Sequence, residues 1–247
     1  MNQKPTDPLD HALQLLDLHH GSFWAAESFA KGSGHPVPCD TRGWSQVLVT
    51  VLTGRSGRNR KKGSDFIDGS DVKGANTWEA IDRPRFNGVI KAGTKAESSG
   101  KLASLDNMPY LFFVLWDHSP TSKRARCRVW CVRPQKDRVF RRLCASWYDK
   151  RPTGEIKSAN FQLHPPRGKH SNEFRNTCGN LLYPLLLCAE HEDNGFKIIE
   201  YHPEVMTTGE CQPAAERDTA APKQRDITKS KKEAGRAGSG PESPASR

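Results

Sequence analysis

No run of this chain is apolar for long enough to cross a bilayer. The longest, "YLFFVLW" and "LLYPLLLCA", fall far short of the roughly 20 residues that a spanning helix needs. The first residues carry no signal-peptide pattern, so the expectation is a cytoplasmic protein without membrane contact. Cysteine is sparse: seven residues, an odd number, with no C-x-x-C spacing. That excludes a disulfide framework and points to reduced thiols. Cys127 and Cys131, an even offset apart in a strand-like run, read as buried side chains. His35 and Cys39 in "HPVPC" have no second pair at matching spacing and carry no zinc assignment. Internal repeats are absent. Large apolar residues nearly vanish after position 206, so residues 207–247 read as a disordered tail behind a folded domain of residues 1–206.

Positive charge is what the chain has in excess. Its 247 residues carry 38 Lys and Arg against 28 Asp and Glu, a net +10, and mean hydropathy is −0.74. The tail holds eight cations and six acids. Most of the excess therefore belongs to the folded part, which favours a polyanionic partner, with nucleic acid ahead of an anionic membrane.

Hydrophobic periodicity gives the element order. "DPLDHALQLLDLHHGSFWAAESFA" opens with a capping aspartate and a proline, and Leu9, Leu13 and Leu16 recur at helical spacing, with Gly21 a candidate break. "WSQVLVTVLTG" is β-branched and apolar and predicts a buried strand. "MPYLFFVLWDH" predicts a strand covered on both faces, and "RARCRVWCVRP" an alternating one with Arg124, Arg126 and Arg128 on one side. A helix over residues 135–149, a strand "NFQLH", a polar loop "PPRGKHSNEFRN", a helix around "GNLLYPLLLCAEHED" and a strand "FKIIEY" follow. Trp44, Trp116, Trp130 and Trp147 fall in or beside apolar segments and read as core. The fold class is α/β, a central mixed sheet flanked by helices.

Between the first two expected strands lies "GRSGRNRKKGSDFIDGSDVKGANTW". Five cations, Arg55, Arg58, Arg60, Lys61 and Lys62, precede three acids, Asp65, Asp68 and Asp71, and then Lys73. Asp68-Gly69 is a turn dipeptide, and the loop length decides which side chains share a face. A two-residue loop at Asp68-Gly69 turns Asp65 away from Asp71. A three-residue loop, Ile67-Asp68-Gly69, puts glycine at the left-handed position and sets Asp65 against Asp71, with Lys73 on the same face. The position of the glycine favours the second. Two carboxylates and a lysine so placed suit Mg²⁺ and phosphodiester hydrolysis, with the basic run on the phosphate backbone. The competing reading makes them surface acids neutralised by the neighbouring arginines, since D-x-K alone is a weak motif.

"KGSDFIDGSDVKGAN" resembles the D…(D/E)xK core of type II restriction endonucleases. Together with "RPRFNGVIKAG", "PYLFFVLWD", "RCRVWCVRP", "NFQLHPPR" and "RNTCGNLLYPLL" it resembles their MamI-type family over roughly residues 10–205. The resemblance implies a restriction-endonuclease-like core and Mg²⁺-dependent cleavage of double-stranded DNA at a short symmetric site. It also implies a cognate DNA methyltransferase as functional partner. Asp65 and Asp71 take the acidic positions and Lys73 the lysine, with Asp68 the rival for the first acid. Glu27 is a candidate for a further metal ligand. Arg83, Arg85, Arg167, Lys169, His170, Asn172 and Arg175 stand in polar segments with donors suited to bases and phosphates. Cutting both strands of a symmetric site implies a homodimer. A structure-specific or repair nuclease with the same core, and a DNA-binding protein without catalysis, are the rival readings.

Overall fold

Helix α1 (Pro8–Ser33) starts where Asp7 accepts the Leu9 N–H at 2.9 Å and Pro8 takes the first turn, and it ends at Gly34 in the left-handed conformation. It runs unbroken through Gly21. Ala12, Leu16, His19 and Phe23 form its buried stripe. Helix α2 (Thr41–Thr53) is capped the same way, by Asp40 on the Arg42 N–H and by Gly54. The computed structural model describes residues 7–35, 37, 40–58, 63–78, 84–91, 102–119, 124–164, 173–176 and 179–213.

The sheet these helices cover is mixed. Its order is β1 (Asp71–Asn76), β3 (Leu111–Ser119), β4 (Arg124–Val132), β8 (Leu185–Glu192), β9 (Gly195–Tyr201), with β1 and β3 parallel and the other pairs antiparallel. The central strand β3 divides its side chains by the period of two. Phe112, Val114 and Trp116 pack with Leu16 of α1 and with Leu48, Val49 and Leu52 of α2. Leu111, Phe113 and Leu115 pack the other way, against a second core. That core includes Phe140, Cys144 and Trp147 of α4 (Arg138–Lys150). It also includes Phe86, Val89, Ile90, Phe161 and Leu163 from a second, antiparallel sheet. The second sheet has the order β10 (Gln212–Pro213), β7 (Gly179–Leu182), β6 (Glu173–Asn176), β5 (Asn160–His164), β2 (Phe86–Lys91). A short helix α3 (Ala103–Asp106) precedes β3.

Trp116, Trp130, Trp147 and five cysteines, Cys127 and Cys131 among them, are buried and unbridged, in line with the thiol reading. Trp44 is half-buried.

Three assignments differ from the sequence reading. "WSQVLVTVLTG" is helix α2, because Ser45, Leu48, Val49 and Leu52 make one stripe and both ends are capped. The β-branched residues lose some helix propensity, but the buried face outweighs it. "LLYPLLLCAEHED" is not helical. Pro184 stands between β7 and β8, and residues 185–189 are buried without a break, as in a strand covered on both faces. The folded part also runs past position 206. Arg133 donates to the carbonyls of Thr207 and Gly209, and the Cys211 N–H donates to Asp137 at 2.7 Å, the same carboxylate that caps α4. β10 then pairs with β7. Residues 214–247, most of the expected tail, lie outside the described residues.

At the far end of β3 a group of histidines is sealed among aromatic rings. His19 Nδ1 lies 3.1 Å from His118 Nε2, with Trp44, Trp78, Trp116 and Phe23 around the pair. Among the described residues, the remaining nitrogen of His19, Nε2, is buried without a hydrogen-bond partner. His20 stacks on His191 at 3.8 Å. Burial first, and mutual repulsion second, push His19 down to about 4 and His118 down to about 3.

Candidate active site

Asp65 and Asp71 are joined by a tight turn. The Gly69 N–H donates to the Phe66 carbonyl at 3.2 Å, and the Phe66 N–H donates to the Ser70 carbonyl at 3.1 Å. The loop residues are thus Ile67, Asp68 and Gly69, the longer of the two loops that the spacing left open. Gly69 has φ 93°, and a Cβ there would stand 2.6 Å from the Asn107 carbonyl oxygen. Only glycine meets both conditions.

The strands leaving this turn do not continue as a two-stranded hairpin. Residues 65–67 pair with residues 56–58, through Arg58 N–H to the Asp65 carbonyl at 2.9 Å and Ile67 N–H to the Ser56 carbonyl at 3.0 Å. Asp71 instead opens β1, its N–H donating to the Tyr110 carbonyl at 3.1 Å, and β1 runs parallel to β3. The carboxylates still meet. Asp65 and Asp71 lie close enough for each to act on the other, and Lys73 Nζ lies 2.6 Å from Asp71 Oδ2. The three side chains are 5%, 11% and 21% exposed in the order Asp65, Asp71, Lys73, so the group opens to solvent from the lysine side.

Burial pushes the Asp65 carboxyl up to about 6, helped by the hydrogen bond and charge of Asp71. The Val72 N–H and the Lys73 charge pull the other way. The Val72 N–H donates to Asp65 Oδ2 at 3.0 Å. On the other oxygen, Gln46 Nε2 donates to Asp65 Oδ1 at 2.6 Å, and the exposed Arg42 guanidinium lies 3.9 Å away. Both residues come from α2. That helix sits close over β1 because Gly74 has no side chain: a Cβ there would meet Ser45 Oγ at 2.7 Å. Ser45 accepts from Trp116 Nε1 at 2.9 Å and so ties α2 to β3 as well.

Asp68 belongs to a separate arrangement. Burial works upward on it, but the Ser70 N–H and the Arg55 guanidinium outweigh burial and hold its carboxyl below the usual range. Arg55 pairs with Asp68 and lies 4.0 Å over the Tyr110 ring, and Arg58 donates to the Ile67 carbonyl at 2.9 Å. The counter-charge for Asp68 is therefore an arginine of the basic run, as the competing reading expected of all three acids. Among the described residues, Asp65 and Asp71 meet each other, the Lys73 ammonium, the Val72 N–H, and Gln46 and Arg42 of α2.

Glu27 is half-buried on α1 and is not among the partners of Asp65, Asp71 or Lys73. Arg85 is exposed just before β2, and Arg175 lies in β6. Arg60, Lys61, Lys62, Arg83, Arg167, Lys169, His170 and Asn172 lie outside the described residues, as does Cys39. Gln46 and Arg42 were missed because the strand reading gave their segment no face toward the acids. The Asp40 cap was the one local signal of a helix.

A family model described as MamI restriction endonuclease matches residues 28–198. The chain is 32% identical over 183 residues to the "Type II restriction enzyme MamI" of Microbacterium ammoniaphilum, which covers 70% of this chain and 58% of that protein. It thus spans less than two thirds of the curated relative it matches. No solved structure matches the chain. On the extent of the family match, which takes in both carboxylates and the lysine, the chain belongs to the MamI restriction endonuclease family.

Proposed function

We propose that this protein is a type II restriction endonuclease that makes Mg²⁺-dependent double-strand cuts in DNA at a short symmetric site. The observation that carries this is the meeting of Asp65 and Asp71, both largely buried, beside the partly exposed Lys73 in a cationic protein. Two neighbouring acids, one of them displaced to about 6 by burial and by the other, form a site short of positive charge. Oxygen donors of that kind fit a hard divalent cation, and water and phosphate oxygens would complete its shell. Among the described residues no set of three His, Cys, Asp or Glu gathers as a metal site. Asp65 and Asp71 would therefore be the protein's own ligands. A bound Mg²⁺ supplies a Lewis acid for the phosphate and lowers the pKa of water for attack.

The remaining chemistry belongs to the chain. Lys73, 2.6 Å from Asp71 Oδ2, holds its ammonium at the open edge of the pair. There it can orient the attacking water and offset charge growing on the phosphate oxygens. Gln46 and the Val72 N–H fix Asp65 by one bond to each oxygen, leaving a lone pair free on both. Arg42, exposed at the rim, adds positive charge where a phosphate backbone would approach. One chain offers one such site, so a homodimer on DNA, one protomer per strand, accounts for double-strand cleavage. A methyltransferase of matching specificity would be the functional partner.

Plasmid DNA incubated with purified protein, with Mg²⁺ and with EDTA, tests the reading. Discrete fragments that need Mg²⁺ are expected. Nicks or smears would favour a structure-specific nuclease, and intact DNA under all conditions would leave a binding protein without catalysis.

A further inference from the structure

We propose that Gln46 is a positioning residue that sets the divalent-metal affinity of the Asp65–Asp71 pair by holding Asp65 Oδ1. The inference rests on the metal-site reading above and deepens it.

Three observations carry it. Gln46 Nε2 donates to Asp65 Oδ1 at 2.6 Å, the shortest contact that Asp65 makes to an uncharged group. Its placement is built: α2 is seated on β1 at Gly74, pinned to β3 by Ser45 and Trp116, and capped at both ends. The amide therefore arrives on a rigid element rather than from a loop. Finally, among the described residues the other hydrogen-bond donor to Asp65 is the Val72 N–H on its second oxygen, while Arg42 stands off at 3.9 Å. Without Gln46 the Val72 N–H alone restrains rotation of the carboxylate about its last bond. Oδ1 would then be free to turn toward Asp71 rather than toward an ion. A neutral donor also adds no net charge, so it orients the ligand without competing electrostatically with a cation, as Arg42 would if it closed in.

Outer donors of this kind are worth about 10- to 100-fold in metal affinity. The test measures Mn²⁺ binding directly, by electron paramagnetic resonance of free Mn²⁺, in the full-length wild type, Gln46→Met and Asp71→Asn. Gln46→Met keeps the length of the side chain and removes the donor. If it fails to fold, judged by its thermal midpoint, Gln46→Ala takes its place. The expected result is a Kd for Mn²⁺ raised by about tenfold or more in Gln46→Met. Unchanged Mn²⁺ affinity in Gln46→Met, with binding lost in Asp71→Asn, overturns the inference and leaves the metal site standing. Equal Mn²⁺ affinity in wild type and Asp71→Asn overturns the metal-site reading and the inference with it.

Discussion

Strands β1 and β3 lie parallel, and each end of the pair holds buried titratable side chains of a different kind. At the start, Asp65 and Asp71 stand beside Lys73. At the finish, His118 of β3 meets His19, with His20 and His191 stacked behind. Five to seven strand residues separate the two, roughly 20 Å. Asp65 at one end, and His19, His20 and His118 at the other, are displaced from their ordinary pKa by burial first. What differs is the setting. The carboxylates are met by aimed donors, Gln46, Val72 N–H and Lys73, and open to solvent on one side. The histidines are closed in by Trp44, Trp78 and Trp116, and among the described residues His19 Nε2 has no hydrogen-bond partner. A buried charge with donors and an opening is arranged for a ligand, whereas buried neutral rings among indoles are packing. Perturbed titration alone does not tell them apart.

The comparison predicts that changes at one end alter chemistry and changes at the other alter stability. The largest effect should come from Lys73→Met. It should lower cleavage by on the order of 10² to 10⁴-fold with little change in the unfolding midpoint, checked by plasmid cleavage beside denaturant unfolding. A comparable loss of stability would place Lys73 in the structural class.

Acid should act through the histidines. Their folded pKa values lie at about 4 and about 3, against 6.5 for the unfolded chain. The unfolded state therefore binds more protons below pH 6.5, and stability is lost as pH falls from there toward 4. By pH 5 the loss should be on the order of 2 kcal/mol for each of His19 and His118, read from urea unfolding at pH 7 and pH 5. A flat profile would mean that the pair is not held neutral.

The carboxylates should show the opposite sign. Asp65 titrates at about 6 in the folded state against an ordinary 3.8. Here the folded state binds more protons between those values, so ionising the pair costs stability as pH rises through them. Asp65→Asn should then gain about 1 kcal/mol at pH 7 in EDTA, a gain that vanishes below pH 4. A loss of stability at pH 7 would make the pair a structural ion cluster. The smallest effect is expected of Asp68→Asn: asparagine suits the turn, so cleavage should stay within about twofold. A larger fall would move the first acid from Asp65 to Asp68.

The turn was legible in the sequence because the position of Gly69 favoured the longer of the two loops, β3 because an unbroken apolar run needs cover on both faces, and β4 because its residues alternate. Helix α2 was not. Val47, Val49, Thr50 and Val51 argue for a strand residue by residue, and only the buried stripe that closes over β1 decides otherwise. The β7–β8 region misled the other way, since leucines favour helices until Pro184 and the sheet partner on each side are known. Asp65 and Asp71 could be placed together from the loop alone. Gln46 could not, because its hydrogen bond spans 19 residues between elements whose packing no local pattern encodes.

The most direct test is Asp71→Asn on plasmid DNA that the wild type cuts, with cleavage measured in Mg²⁺ and binding measured by gel shift in EDTA. The substitution keeps the volume and removes one negative charge beside the phosphates. Cleavage should fall to background while metal-free binding is retained or tightened. Cleavage at the wild-type rate, or binding lost in step with cleavage, would contradict the account.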